Sequence, residues 1–305
     1  MDQIEKNLLK EIASLHDIPT GAYNIRRNGE SAGRNSTEQI IIIQKEDKPG
    51  IDITILPGTK NQSVHIPVVL TQSGITDTVY NDFYIGEDCD VTIIAGCGIH
   101  NSGCEVSQHD GIHTFHVGKN AVVRYVEKHY GQGEGIGKNV MNPETVVYMD
   151  EGSHMEMETT QIGGVDSTER KTTATVGEKA TLVIREKILT EGQQTAKTDF
   201  TVNLDGENSS TNVVSRSVAK DHSHQKFFSR INGNNLCNGH TECDAIIMDQ
   251  ATVVAIPEVS ANDINASLIH EAAIGKIAGE QLIKLMTLGL SESEAEEQII
   301  AGFLK

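Results

Sequence analysis

The chain has 305 residues, long enough for one large domain or two small ones, with no Trp, 4% aromatic residues, 28 Gly and a formal charge of −18. That acidity excludes nucleic acid as the main partner, because nucleic-acid binders need a basic footprint to displace counterions, and it favours a basic protein partner. No window approaches the ~20 apolar residues of a membrane helix, and the charged N-terminus lacks an apolar signal core, so a cytoplasmic protein is expected.

Residues 1–17 predict a helix: Ile4, Leu8, Leu9, Ile12 and Leu15 recur on one face, and Pro19 with Gly21 stops it. It reads as a cap over the end of the sheet structure. Ala22–Thr37 is polar and turn-rich, a connector in which Arg26 and Arg27 read as solvated charge. From Glu38 to about Ile256 no helical period exceeds two turns. Short β-rich runs broken by Gly, Asn and Asp replace it: Ile40–Gln44, Ile51–Ile55, His65–Leu70, Val91–Ala95, Ala121–Val126, Thr145–Tyr148, Met155–Thr160, Ala180–Glu186, Phe200–Leu204 and Thr211–Ser215. Turn-plus-strand units start at Gly86, Gly118, Glu151, Gly177 and Gly206, about 26 to 33 residues apart, which indicates a β-solenoid or a β-sandwich array.

Cys243 opens the apolar run Ala245–Met248, and Ala251–Ile256 ends at Pro257; both read as short strands. Ser267–Glu271 follows, then an amphipathic pair of helices. Ile277–Leu288 stops at Gly289, and the capping box Ser291/Glu294 starts a helix running to Phe303. The domain reading is 1–37 for the N-terminal helix and connector, 38–266 for the β core, and 267–305 for the C-terminal helical segment.

Five cysteines spread over a long chain make no disulfide framework, so the thiols are read as reduced. The first candidate site is Cys243 with His270 and Glu271. Thiolate is a soft ligand suited to iron–sulfur clusters, and imidazole replaces it on some irons. The competing reading is a buried small hydrophobe and a hydrogen-bonded core histidine. Adjacent strand residues face opposite ways, so at most one of His270 and Glu271 shares a face with Cys243. This suits a sheet rim or a subunit boundary better than a closed pocket.

The second is Cys97, His100 and Cys104, spaced like a zinc knuckle, with His109 nearby and His113, His116 and His129 beyond. On a strand over Ile112–Val117, His113 and His116 face opposite ways. Turn and strand residues that merely hydrogen-bond are the alternative. The third, Asp221–His224 with Cys237 and His240, reads as turns, since no Gly-x-Ser-x-Gly elbow is present. Gly131–Gly137 lacks the Lys-Ser/Thr of a phosphate-binding loop, so any ATP hydrolysis belongs to a partner. No Gly-x-Gly-x-x-Gly is present, and flavin is not predicted.

Glu242–Asp249 and Ile269–Lys305 together resemble the C-terminal end of the SufB/SufD family, scaffold proteins of the SUF iron–sulfur cluster assembly system. Cys-Asp-Ala, Pro-Glu, His-Glu-Ala, Gly-Lys-Ile, Gln-Leu and Gly-Leu-Ser fall in order. The resemblance implies a mainly β fold, a parallel β-helix core with a short N-terminal helix and a C-terminal helical pair. It implies a non-catalytic scaffold that builds and transfers a transient cluster, with Cys243 as principal ligand and sulfur acceptor and His270 and Glu271 as further ligands. It implies docking of a SufC-type ABC ATPase on the last helices, around Leu282, Leu285, Met286, Ile299 and Phe303. A cysteine-desulfurase sulfur donor, and a homodimer or a heterodimer with a paralogue, follow from the same likeness. Two alternatives stand beside it: a SufD-like structural subunit without its own cluster, and a zinc- or iron-dependent enzyme using Cys97–His116.

Overall fold

The computed structural model describes residues 2–305. The repeating turn-and-strand units stack into a solenoid walled by two ten-stranded sheets. One sheet runs β2 (Glu30–Asn35), β1 (Ala22–Arg27), β5 (Lys60–Leu70), β7 (Asp90–His100), β9 (Val122–Gln132), β12 (His154–Ile162), β14 (Thr181–Thr190), β16 (Ser209–Ala219), β18 (Cys237–Ile247), β20 (Ala266–Gly275). The other runs β3 (Ile40–Gln44), β4 (Gly50–Ile55), β6 (Thr76–Ile85), β8 (Ser107–Val117), β10 (Asn139–Met141), β13 (Ser167–Val176), β15 (Thr195–Leu204), β17 (His224–Gly233), β19 (Thr252–Ala261); β11 (Glu144–Met149) also lies between β8 and β13. Apart from the hairpins β1–β2 and β3–β4, all pairings are parallel. A solenoid, not a sandwich of hairpins, therefore accounts for the spaced turns.

Residues stack in register from rung to rung. Thr159 of β12 lies beside Glu186 of β14, Glu186 beside Ser215 of β16, and Ser215 beside Cys243 of β18. Because side chains alternate along each strand, one parity fills the lumen and the other faces out. Most inward rows are aliphatic, and one continuous core runs from Ala22 to Cys243. Stacked Phe83 and Phe115, 4.3 Å apart, widen it near β6 and β8. Few aromatics are needed, since Ile, Val and Leu ladders fill the space between sheets about 10 Å apart.

The turn repeat has a physical basis. Asp88, Asn120, Lys179 and Asn208, each two residues after a repeat glycine, have φ of 54 to 59°. Asn and Asp tolerate this left-handed backbone better than most residues. The glycine ahead of them is needed for rung spacing: a Cβ on Gly118 would lie 2.7 Å from the Ile85 carbonyl oxygen.

Four expectations change. Ala22–Thr37 is not a connector but holds the hairpin β1–β2, so the sheet core begins at Ala22. Arg26 is not solvated: its guanidinium bonds Asp77 through Nη2 at 2.6 Å and Nε at 2.9 Å. The N-terminal helix α1 (Gln3–Ala13) lies along the outer flank of β5, β7 and β9 instead of capping an end. Leu8 and Leu9 pack there with Ile25 and Val69. Gly96 permits the approach, as a Cβ there would sit 2.8 Å from the Ile12 carbonyl oxygen. At the other end, β20 continues to Gly275, so the helical segment is shorter than 267–305. It comprises α2 (Gly279–Thr287) and α3 (Glu292–Phe303), the latter with both arms of the Ser291–Glu294 capping box in place.

The close stacking makes a prediction. Gly118→Ala forces overpacking against fixed backbone and lowers stability by about 1–3 kcal/mol, read as an earlier urea midpoint with the circular dichroism of the folded state unchanged.

Candidate functional site

Cys243 sits on the inward parity of β18, with Thr241 and Ala245 as its inward neighbours on the same strand. It is 4% exposed and has one rung beyond it, β20. His270 of β20 is in register with Thr241, and Ala272 with Cys243, so His270 shares the Cys243 face. Strand spacing puts the Cys243 and His270 Cα atoms about 8 Å apart. Glu271 is in register with Glu242 and points to the other face, outside the solenoid. His270 is exposed because no further rung covers it.

The lumen behind Cys243 is polar. Ser215 Oγ, on the neighbouring strand of the same row, donates to Glu186 Oε2 at 2.8 Å, and Thr198 Oγ1 donates to Glu186 Oε1 at 2.9 Å. Ser229 and Thr241 hydroxyls lie 2.8 Å apart across the lumen. Further back, Arg170 Nη1 donates to Glu127 Oε2 at 2.5 Å, and Arg170 Nε lies 3.7 Å from Glu186 Oε1. One cation thus stands between two buried carboxyls. Burial alone would raise Glu127, but the Arg170 guanidinium holds it well below the usual carboxylate range. Glu186 is pushed up by burial, which its more distant contact with Arg170 does not reverse.

Burial pushes the Cys243 thiol up to about 12, with the Glu186 and Asp244 carboxyls adding to the effect. The resting group is a thiol.

Deeper in the lumen, hydrogen bonds set a proton direction. Tyr125 Oη donates to Glu127 Oε1 at 3.0 Å and is 2.9 Å from His113 Nδ1. Tyr125 has one proton to give, so His113 Nδ1–H donates to it. His113 Nε2 then accepts from Asn81 Nδ2 at 3.3 Å. This is the neutral imidazole, and burial lowers its pKa to about 4.

Cys97, His100, Cys104 and His109 do not converge. Cys97 is inward and buried, Cys104 is exposed in the loop after β7, and His109 Nδ1 lies 3.3 Å from Asp77 Oδ2. Among the described residues, the donors that meet closely are those of His240, Glu242 and Glu271. The zinc-knuckle spacing fails because the 97–104 segment crosses from the lumen wall to an outer loop. As expected, His113 and His116 take opposite faces; His116 stacks outside between Tyr84 and Tyr148, at 5.0 and 5.3 Å.

Residues 76–303 match the family described as SUF system FeS cluster assembly, SufBD core domain. The chain belongs to the SufBD family. An iron–sulfur cluster assembly SufBD family protein of Archaeoglobus fulgidus is 31% identical over 267 residues, spanning 85% of this chain and 69% of that protein. One of Methanocaldococcus jannaschii is 29% identical over 276 residues, spanning 88% and 85%. The iron–sulfur cluster assembly protein SufB of Bacillus subtilis is 36% identical over 102 residues, 32% of this chain and 22% of that protein.

In this SufBD chain the helices stand off the core. α2 buries none of its residues and α3 buries Ala295. Leu282, Leu285, Ile299 and Phe303 are half-buried, and Met286 is exposed. No described helix is long and apolar enough to cross a membrane.

Sequence reading missed Glu127, Arg170 and Glu186. The signal was parity: Val123, Tyr125, Glu127 and His129 share the inward phase of β9.

The buried His113 makes a pH prediction. In the unfolded chain this imidazole protonates near 6.5, whereas in the folded chain it does so near 4. The unfolded state therefore binds more protons in that window, and stability present above pH 6.5 is lost on acidification toward 4. The slope from this one group is at most about 1.4 kcal/mol per pH unit. Urea titrations at pH 7.5 and 5 should show the loss, and His113→Gln, less stable at pH 7.5, should show a flatter dependence.

Proposed function

We propose that this chain is a scaffold on which iron–sulfur clusters are assembled and from which they are transferred, itself non-catalytic and working with a SufC-type ABC ATPase. The observation that carries the reading is the placement of Cys243 and His270 on one inward face of the last two rungs, at the open end. The cluster is cargo, so its ligands must release it. One thiolate and one imidazole, with the remaining positions left to exchangeable donors, hold iron more loosely than four thiolates would.

The thiol proton must leave before the sulfur accepts iron or a transferred sulfur atom. Ser215 lies next to Cys243 on the same row and bonds Glu186 one rung further back, so the raised Glu186 carboxyl is the lumen group suited to receive that proton through the Ser215 hydroxyl. Sulfur would come from a cysteine-desulfurase donor. The unpaired edges of β19 and β20 are templates for strand addition, and a second SufBD subunit, identical or paralogous, pairing there would close the open end over Cys243 and His270. Opening that boundary by ATP-driven movement of the docked partner would release the cargo. Glu271, on the outer face, then belongs to a ligand set of its own.

Anaerobic reconstitution with ferrous iron and sulfide tests the site. Wild type should develop the charge-transfer absorption of a cluster, Cys243→Ala should lose most of it, and His270→Ala should form a cluster that decays faster. An unchanged spectrum in Cys243→Ala removes that residue from the role.

Docking is tested separately by co-expression with a SufC-type ATPase. Removal of residues 276–305 should abolish co-purification, while Met286→Glu, in an exposed position, should weaken it at least tenfold, about the cost of desolvating one charge at an apolar contact. Equal recovery of the ATPase with the truncated chain would rule out these helices.

A further inference from the structure

The outer wall opposite Cys243 carries a second group of donors that the lumen site does not use. Alternation along β18 turns His240, Glu242 and Asp244 outward while Cys243 faces in. Glu271 stands in register beside Glu242 on the next rung. One donor atom each from His240, Glu242 and Glu271 all lie within 4.8 Å of one another.

The hydrogen bonds fix what these atoms offer. His240 Nδ1 is 3.0 Å from Asn212 Oδ1, its register partner one rung back. An amide oxygen only accepts, so Nδ1 carries a proton, and Nε2 is the ring nitrogen turned toward the carboxylates. That Nε2 lies 3.3 Å from Glu271 Oε2. An imidazole nitrogen and a carboxylate thus face each other at contact distance, with a second carboxylate in register beside them. Like charges directly opposite on neighbouring strands repel, and Asp244 adds another carboxylate to the same face. A cation held between the three donors would offset this repulsion. The outer partner of His240 is also the one a metal-binding imidazole uses: an acceptor on its far nitrogen, which fixes the tautomer and aims the other nitrogen.

We propose that His240, Glu242 and Glu271 form a binding site for a divalent first-row transition-metal ion, held by one imidazole nitrogen and two carboxylates with its remaining positions open to water. The nitrogen and oxygen donors suit ions of the iron(II), cobalt(II) and zinc(II) type and not copper(I), which seeks thiolates. The site stands on these donors alone and does not depend on the scaffold reading. If both hold, a metal ion is stored on the wall one residue from the lumen thiol.

Cobalt(II) titrated anaerobically into cluster-free, full-length protein tests it, since nitrogen and oxygen ligands give weak d–d bands whereas a thiolate adds an intense charge-transfer band. Wild type should bind one ion per chain with d–d bands only. His240→Ala and Glu242→Gln should weaken binding at least tenfold, and Asn212→Leu by about ten- to a hundredfold through loss of the ring's orientation. Cys243→Ala should bind as wild type does. No saturable binding, equal affinity in the His240 and Glu242 variants, or a thiolate band that disappears in Cys243→Ala would each overturn the proposal. Because the scaffold reading is read out by cluster formation and this one by cobalt in cluster-free protein, either can fail alone.

Discussion

Parallel, in-register stacking governs the rest of this structure. Once successive rungs pair residue for residue, the parity of a side chain on its strand decides whether it meets lumen or solvent, and every later rung repeats the decision. Ser215, Cys243 and Ala272 form one inward row because their strands pair that way. Shifting any strand by one residue would exchange the two faces of the whole rung. The same rule separates His270 from Glu271, which are adjacent in sequence yet serve opposite surfaces. The proposed lumen ligands and the proposed outer donors can therefore occupy the same two strands without sharing a residue.

The lumen holds charges that a purely structural core would avoid. Breaking a buried ion pair is expensive, and even an intact one seldom stabilises relative to apolar packing. Yet Glu127, Arg170 and Glu186 are all buried here, and aliphatic ladders fill the remaining rows at lower cost. Arg170 offsets the desolvation of Glu127 fully and that of Glu186 only in part, which leaves a carboxyl of raised pKa two rungs from Cys243. The polar row thus runs up to a thiol that burial holds in its protonated form. Stability alone gives no reason for that arrangement, whereas the proposed scaffold role, in which the thiol would lose and regain a proton, supplies one.

Much of this was legible from the chain. Turn glycines followed by Asp or Asn marked the rungs because left-handed corners and close backbone approach restrict those positions to few residue types. The last helix was legible from its capping box, a purely local device. The hairpin β1–β2 was not: Asn24, Arg26, Arg34 and Asn35 look like a loop, and Asp77, the partner of Arg26, lies on a strand distant in sequence. Strand β13 hid for a related reason, since STERKTTATV buries an arginine at the phase where an apolar residue is expected. The grouping of Cys97, His100 and Cys104 was proposed from spacing, which carries no information about which face a strand turns inward. His240 was set aside as a turn residue, although its rung neighbours Asn212 and Glu271 give its ring a hydrogen-bond anchor and an acidic companion. In a solenoid the informative neighbour is one rung away, 28 residues for Asn212 and 31 for Glu271, and local pattern reading does not reach that far.

The position of the site at the last rung follows from what a solenoid offers. Interior rungs are closed on both sides by their neighbours, so a thiol placed there is reached only by unfolding. A terminal rung has one paired edge and one free edge, and a residue one rung in is covered by a single strand and whatever docks on it. Cys243 occupies that place, buried in the isolated chain but separated from the open end by β20 alone. Access is then controlled by association and not by unfolding of the core. α2 and α3 extend from this same terminus, with apolar side chains such as Ile283 and Leu288 exposed, so a partner seated on them would pull on the strand that covers the thiol. In the scaffold proposed above, coupling of partner movement to cargo release would need no hinge within the rungs; it would need only that Cys243 sit one strand from the boundary, as it does.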